Sequence, residues 1–483
     1  MNNRRSLADR MRALFRGVRG NKTANIVLSA KDRLRLSGKG LGVSCLNQSF
    51  TLELGKQTLH LCPDLPLVST EDETPPDFLV YDPERFHEKI GHSLRLKPGS
   101  TISVDYRQAQ QNLLFSHPRD AFRRHLQVGH EGTALVFRDP ISELGTYLSL
   151  LDEEQGGIRL RNERRDRLER IRELYGQNFE PLEPEAALSL LQEVNHLMRE
   201  DPFRVADSEG NPGSLVELPA DLTPIIIGDL HAQVDNLLTI LTENAFLDAL
   251  ERGEAALVFL GDAVHSERAG MLDQMDDSVL VMDLILTLKR CFPQRVFFFI
   301  GNHDSFSPEV MKGGVPQSVL WQKKLRACRG EDYASEMALF YQLSPLIVMT
   351  ADFIACHASP PRTAISRETL INARQFPDLV HELTWGRLKT PSWPVGYSRS
   401  HVKRFRKSLG IEESRPFIVA HYPQSANGTL WLDAGEIPNH HIVFSARPDR
   451  VALFTRIDDE LLSQVYPVKR LRDTPLQEED QAI

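Results

Sequence analysis

The sequence predicts an α+β/αβ multidomain chain, an N-terminal all-β sandwich followed by a layered α/β domain built around a second β-sandwich. Three observations lead there. From about residue 25 to 151 the chain runs in short alternating segments, such as Leu94-Arg95-Leu96 and Ile102-Ser103-Val104, split by turn residues such as Lys97-Pro98-Gly99-Ser100. Gly156-Gly157 ends that texture, and two helical stretches follow, Leu160 to Tyr175 and Pro184 to Met198. From Pro224 onward, short runs of β-branched and aromatic residues end on Asp, Asn or His.

At 483 residues the chain has length for two or three domains, and 41% hydrophobic with 25% charged residues is ordinary globular composition. The net charge of −9 gives no basis for nucleic-acid binding. The five cysteines, Cys45, Cys62, Cys291, Cys328 and Cys356, are scattered and form no CxxC pair, which suits free thiols in a reducing compartment. No apolar stretch reaches the ~18–20 residues of a membrane span. No cleavable signal pattern opens the chain, which points to the cytoplasm and leaves open secretion by a route without such a signal.

The organisation read along the chain is as follows. Residues 1–24 form a basic tail or surface helix, with Leu7, Met11, Leu14, Phe15 and Val18 on one stripe, compatible also with an anionic membrane surface. Residues 25–155 form the β domain, with an acidic proline-containing loop at 71–77. Residues 156–220 form a helical linker or the first helices of the next domain, the second helix presenting Leu188, Leu191, Val194 and Leu197 on one face. Residues 221–470 form the layered domain, and 471–483 an acidic tail.

Five apolar runs define the layered domain. They are Ile225-Ile226-Ile227-Gly228-Asp229-Leu230-His231, Val258-Phe259-Leu260-Gly261-Asp262, Phe298-Phe299-Ile300-Gly301-Asn302-His303, Phe353-Ile354-Ala355-Cys356-His357 and Phe417-Ile418-Val419-Ala420-His421. A continuous apolar run reads as a strand buried on both faces, and ligands gather beyond strand carboxyl ends. Asp-x-His places two side chains on one side of an extended segment. Two divalent ions ~3.5–4 Å apart need a bridging carboxylate and several O and N donors. Asp229 and His231 suit one ion, Asp262 the bridge, and Asn302, His357 and His421 the other.

Gly228-Asp229-Leu230-His231, Gly261-Asp262-Ala263-Val264 and Gly301-Asn302-His303-Asp304 resemble the three signature blocks of calcineurin-like metallophosphoesterases. Leu339 to Leu346, Cys356-His357-Ala358-Ser359-Pro360 and His441 to Pro448 resemble later blocks of phosphoprotein phosphatases, so the likeness covers roughly 220 to 465. The resemblance implies two divalent metals, manganese first, with iron, zinc or nickel also suited to these donors. It implies that they activate a water for in-line attack on phosphorus and offset charge on the phosphoryl oxygens. His303 falls at the general-acid position.

Two departures stand out. Where the family places an Asp that orients the acid and an Arg that grips phosphate, this chain has His265 and Ser266. His265 lacks a carboxylate's charge, so His303 is expected to be a weaker base and a stronger acid, with Asp304 as the alternative orienting group. Phosphate binding then falls to Arg387, which follows a Trp as the family's second arginine does, or to Arg268 or Arg447.

Tyr106-Arg107, Phe122-Arg123-Arg124-His125 and Asp139-Pro140-Ile141-Ser142-Glu143-Leu144-Gly145-Thr146 resemble the forkhead-associated domain, a β-sandwich that binds phosphothreonine peptides. Arg107 and Arg123 could supply guanidinium forks and Ser142 could pin the loop, although the family's phosphate-binding serine falls on Ala121 or Phe122 and its asparagine on Leu144. Together these features imply a metal-dependent phosphatase acting on phosphoproteins, at serine/threonine or tyrosine. A nucleotide or dinucleoside polyphosphate hydrolase is the alternative, for which Trp385, Trp393 and Tyr397 could stack a base. A weakly active phosphoprotein-binding scaffold is the third reading.

Overall fold

The computed structural model describes residues 25–475 apart from 46, 56, 69–73, 106–124, 140–144 and 177. The basic segment 1–24, Arg107, Arg123, Ser142 and most of the acidic tail therefore lie outside the described residues. The chain divides into two compact units, Met1–Asp166 and Arg167–Ile483. The division falls within the helix Gly157–Tyr175.

In the first unit the strands are β1 (Asn25–Ile26), β2 (Arg33–Arg35), β3 (Leu41–Ser44), β4 (Ser49–Leu54), β5 (Gln57–Pro63), β6 (Phe78–Tyr81), β7 (Ser93–Leu96), β8 (Thr101–Asp105), β9 (His125–His130), β10 (Ala134–Arg138) and β11 (Thr146–Leu151). They form a sheet in the order β1-β3-β10-β9-β8 and another in the order β2-β11-β4-β5-β6-β7. Alternation puts Val43, Val128, Leu135 and Phe137 of the first against Phe50, Leu52, Leu61, Val80 and Leu148 of the second in one core. Phe50 meets Phe137 edge-on, with ring centroids 6.2 Å apart. The expected turn at Lys97–Ser100 joins β7 to β8, with Gly99 at φ +77 and the Ser100 hydroxyl donating to the Lys97 carbonyl. Gly145 takes φ +74, left-handed backbone that glycine adopts without steric cost.

In the second unit the helix Pro184–Arg199 packs against Asp276–Cys291 and Glu331–Leu343. It buries Ala187, Leu190, Leu191, Val194 and Met198, so the stripe is rotated from the expected one and Leu188 and Leu197 flank it. Three helices pack against it, the third being Gln317–Arg329, so the buried stripe is set by those partners rather than by the leucine row.

The remaining strands are β12 (Arg204–Ala206), β13 (Pro212–Glu217), β14 (Thr223–Ile227), β15 (Ala255–Phe259), β16 (Val296–Phe298), β17 (Ile347–Met349), β18 (Ile354–Cys356), β19 (Phe417–Val419), β20 (Leu430–Trp431), β21 (His440–Val443), β22 (Arg450–Ile457) and β23 (Glu460–Pro467). One sheet runs β12-β13-β17-β18-β19-β21-β20 and the other β16-β15-β14-β22-β23. Val216, Val348, Ala355 and Ile418 of the first pack on Ile226, Val258, Ala452 and Phe454 of the second. Alternate residues face outward onto helices. Ile354, Phe417 and Val419 meet Leu383, Val402 and Phe405 of Pro377–Trp385 and Arg399–Ser408, and β15 and β22 lie under Phe246–Glu251 and Val234–Thr242. The unit is thus two sheets between two helical layers, which is why its central strands are apolar apart from Thr223 at the start of β14.

The parallel register Ile227↔Phe259↔Phe298 in one sheet and Ala355↔Ile418 in the other aligns the strand ends. Across the seam Asp229 bridges Phe444, and the Gly228 amide donates to Ser445 Oγ at 3.0 Å. Among the described residues no helix is long and apolar enough to cross a membrane.

Candidate metal centre

All five apolar runs deliver their polar residue to this one rim. Asp229, His231, Asp262 and His357 are at most 1% exposed, Asn302 is 5% and His421 9%. Crowding explains the glycines between the strands and these side chains. A Cβ on Gly261, itself at φ +100, would lie 2.3 Å from the Gly301 nitrogen, and one on Gly301 would lie 2.2 Å from Asp262 Oδ1. His231, Asp262, His265 and His421 adopt left-handed φ values of 44, 52, 69 and 65. Such backbone is strained for side-chain-bearing residues and concentrates where function fixes geometry.

Two donor groups share one carboxylate. Asp229, His231 and Asp262 form one, and Asp262, His357 and His421 the other, with donor atoms within 4.8 Å of one another in each. His357 Nδ1 donates to the Leu260 carbonyl at 2.8 Å, which leaves Nε2 as a lone pair in the neutral ring. That lone pair faces Asn302 Oδ1 at 3.2 Å, His421 Nδ1 at 3.2 Å and Asp262 Oδ2 at 3.3 Å. These are electron-rich atoms collected around a point that needs positive charge. His231 Nδ1 likewise donates to the Val264 and His265 carbonyls at 3.2 and 3.1 Å, turning Nε2 toward Asp229 Oδ2 at 3.6 Å. Asp229 Oδ2 has no hydrogen-bond partner although wholly buried, while Asp229 Oδ1 accepts from the His421 amide at 3.0 Å. Oxygen and imidazole donors in this arrangement fit two divalent cations sharing Asp262, with His231 and His357 already held by backbone carbonyls.

The electrostatics agree. Burial opposes charge on His357, but Asp262 and Asp229 outweigh it and lift its pKa to about 9. Burial likewise opposes charge on His231, and Glu267, Asp229 and Asp262 lift it to about 10. Burial pushes Asp229 upward, whereas His357 and His303 hold Asp262 well below the usual carboxylate range despite burial.

His303 sits beside this centre, half-buried, with Nδ1 2.9 Å from His265 Nδ1. The structure therefore brings together the pair that the sequence aligned. Burial pushes His303 down to about 4, with Asp262 opposing, and holds His265 well below its ordinary value. Asp304 is not the orienting group. Its Oδ2 accepts from the Asp262 and Gly301 amides at 2.7 and 2.8 Å, so it braces two ligand loops, and burial and Asp262 raise it to about 7.

The three arginines separate clearly. Arg447 donates to the Gly428 and Ser425 carbonyls at 3.0 and 3.1 Å and packs on Phe444, which makes it a structural brace. Arg268 is exposed and donates to Gln233. Arg387 lies between the rings of Trp393 and Tyr422, 4.7 and 4.6 Å from their centroids, and its charge acts on His421. Of the proposed base-stacking aromatics, Tyr397 is buried and bonded to His440 Nε2 at 2.8 Å, so it is not at the rim. Trp385 makes an edge contact with His421 at 6.4 Å between centroids.

Sequence reasoning missed Glu267, Lys312 and Tyr422. Glu267 Oε1 lies 3.2 Å from His231 Nε2 and pairs with Lys312. Tyr422 directly follows a donor histidine, which was a readable signal. Lys312 lies in a turn shortly after the Gly301–Asp304 block, at no spacing that ties it to a donor residue, and left none.

Residues 222–443 match the family of calcineurin-like phosphoesterases. The sequence matches no curated protein. Among solved structures, a protein serine/threonine phosphatase from Saccharomyces cerevisiae with similarity to human phosphatase PP5 shares 17% identity, covering 59% of this chain and 90% of that one, with a TM-score of 0.45. A cold-active protein-tyrosine phosphatase of a psychrophile Shewanella species shares 14%, covering 53% of this chain and 82% of that one, with a TM-score of 0.35. The segment that matches the calcineurin-like phosphoesterases, residues 222–443, is the one that carries both donor groups on one rim.

Proposed function

We propose that the chain is a binuclear-metal phosphomonoesterase acting on phosphoprotein substrates. The observation that supports this most is Asp262, one carboxylate shared by two buried donor groups. Asp229, His231 and Asp262 would hold one ion, and Asp262, Asn302, His357 and His421 the other, manganese being the ion proposed. Two such ions supply Lewis acidity and an activated water. Arg387, held in place between two rings, would take phosphoryl oxygens through its planar fork. His303 Nδ1 is engaged by His265, so Nε2 is the nitrogen from which the cationic ring would give its proton to the leaving oxygen. Arg387 facing two aromatic rings also removes Trp393 from service as a free base-stacking platform, which favours phosphoprotein over dinucleotide substrates.

The two-sheet N-terminal unit supports a forkhead-associated-like role in bringing phosphoproteins to the site. The full chain with manganese, assayed on a phosphopeptide panel beside dinucleoside polyphosphates, decides the matter. Turnover of the dinucleotides with none of the peptides overturns this reading, and inertness toward every phosphate ester reduces the chain to a scaffold.

A further inference from the structure

Deepening that reading, and resting on it, we propose that Lys312 is a second phosphate-binding cation, held by Glu267 until a phosphate arrives. Ser266, standing where the arginine is expected, is buried, and its Oγ accepts from the Arg268 amide at 3.2 Å. It cannot offer a phosphate a positive charge. A single oxygen, Glu267 Oε1, joins the Lys312 ammonium to the neighbourhood of His231 Nε2, 3.2 Å away. Lys312 thus lies one carboxylate oxygen from the ligand-bearing nitrogen of the first donor group, and its charge also acts on His303. Glu267 itself falls outside that three-donor group.

The placement is built. Lys312 and Val315 exchange backbone hydrogen bonds of 3.1 and 2.9 Å around Gly313 and Gly314, at φ 55 and 81, a tight turn that anchors the base of the lysine stem. Gln317 Nε2 donates to the Ser266 and Leu272 carbonyls, both at 3.0 Å, tying the segment after the turn to the loop that carries Glu267. The Lys312 side chain remains 40% exposed, free to swing from one acceptor to another.

Charge decides which acceptor prevails. A phosphate monoester dianion outcompetes a monoanionic carboxylate for an ammonium, and a lysine is a mobile point charge suited to the exchange. Arg387 acts at the donor group containing His421, and Lys312 at the group containing His231. The two cations therefore flank the binuclear centre from opposite donor groups, where the oxygens of one phosphoryl group need charge offset at more than one point. Glu267 is the opposing element, because its carboxylate repels an incoming phosphate unless Lys312 covers it.

The test uses the full chain loaded with manganese, with inorganic phosphate as the probe. Binding is measured by calorimetry and by competitive inhibition of 4-nitrophenyl phosphate turnover, with metal content measured in parallel. Lys312→Ala is expected to weaken phosphate about tenfold or more at unchanged metal content, with Lys312→Arg recovering most of the loss. Glu267→Gln is expected to tighten phosphate, and the double variant to bind better than Lys312→Ala alone. Unchanged phosphate affinity in Lys312→Ala, or a loss that tracks lost manganese, overturns the assignment. A wild-type chain that binds phosphate through Lys312 yet hydrolyses no ester separates failure of the phosphatase reading from failure of this one.

Discussion

His265 and His303 share one proton. Their Nδ1 atoms are 2.9 Å apart, a hydrogen bond that exists only if one ring donates and the other accepts. His265 Nε2 is buried without a partner. A buried unpaired N–H is costlier than a buried unpaired lone pair here, so the His265 proton belongs on Nδ1 and His303 accepts. Neutral His303 then carries its own proton on Nε2. A carboxylate at 265 accepts only, and would reverse the direction of that bond.

The first prediction follows directly. Burial holds His303 near a pKa of about 4, so its cationic acid form is scarce at neutral pH. His265→Asp adds an anion beside the ring, raises that pKa and moves the alkaline edge of the kcat/KM profile upward. Phosphoserine substrates, with poor leaving groups, should gain most, and 4-nitrophenyl phosphate little. An unmoved alkaline edge with phosphoserine shows that His265 does not tune the acid.

Metal dependence gives the second. Asp262→Asn removes charge from the one ligand common to both donor groups and should abolish activity and lower bound manganese, with far-ultraviolet circular dichroism retained. Chelation of the wild-type chain should lower Tm by several degrees, since a ligand at about 100 times its Kd contributes about 2.7 kcal/mol. Full turnover in Asp262→Asn would sink the binuclear reading.

Arg387 and its aromatic clamp give the third. Arg387→Ala should lower kcat/KM about tenfold or more, and Trp393→Ala should give part of that loss by loosening the guanidinium. Arg447→Ala should instead act on stability, because its donors go to backbone carbonyls. A silent Arg387→Ala moves the phosphate role elsewhere.

A fourth prediction concerns stability alone. Asp283 and Arg329 form a fully buried ion pair at 2.6 Å, and the Leu182 amide also donates to Asp283 at 2.9 Å. Asp283→Ala leaves the guanidinium buried without its carboxylate and should destabilise the second unit by about 3–5 kcal/mol in urea unfolding. A loss below about 1 kcal/mol would mean that water reaches Arg329.

The central strands and the six donor residues were legible because burial on both faces writes a continuous apolar run, and the donor must come where that run stops. Asp304 misled, since a carboxylate beside a catalytic-type histidine looks the same in sequence whether it reaches that ring or two backbone amides. The helix Pro184–Arg199 misled for a related reason: its leucines mark several faces, and only the partners choose among them. Glu267 and Lys312 were invisible because an ion pair between residues 45 apart leaves no period or spacing.

The donors also come from both sheets: Asp229, His231, Asp262 and Asn302 follow strands of the five-stranded sheet, His357 and His421 strands of the seven-stranded one. A cation held by His357, His421 and Asp262 would therefore be a rivet through the seam of the sandwich. Sliding one sheet against the other by even a fraction of an ångström would pull the rivet's two ends apart. Catalytic geometry and resistance to shear would then be a single mechanical property of this domain, and variants that soften the interface around Val258 and Ile418 should loosen the ion without touching any of its proposed ligands.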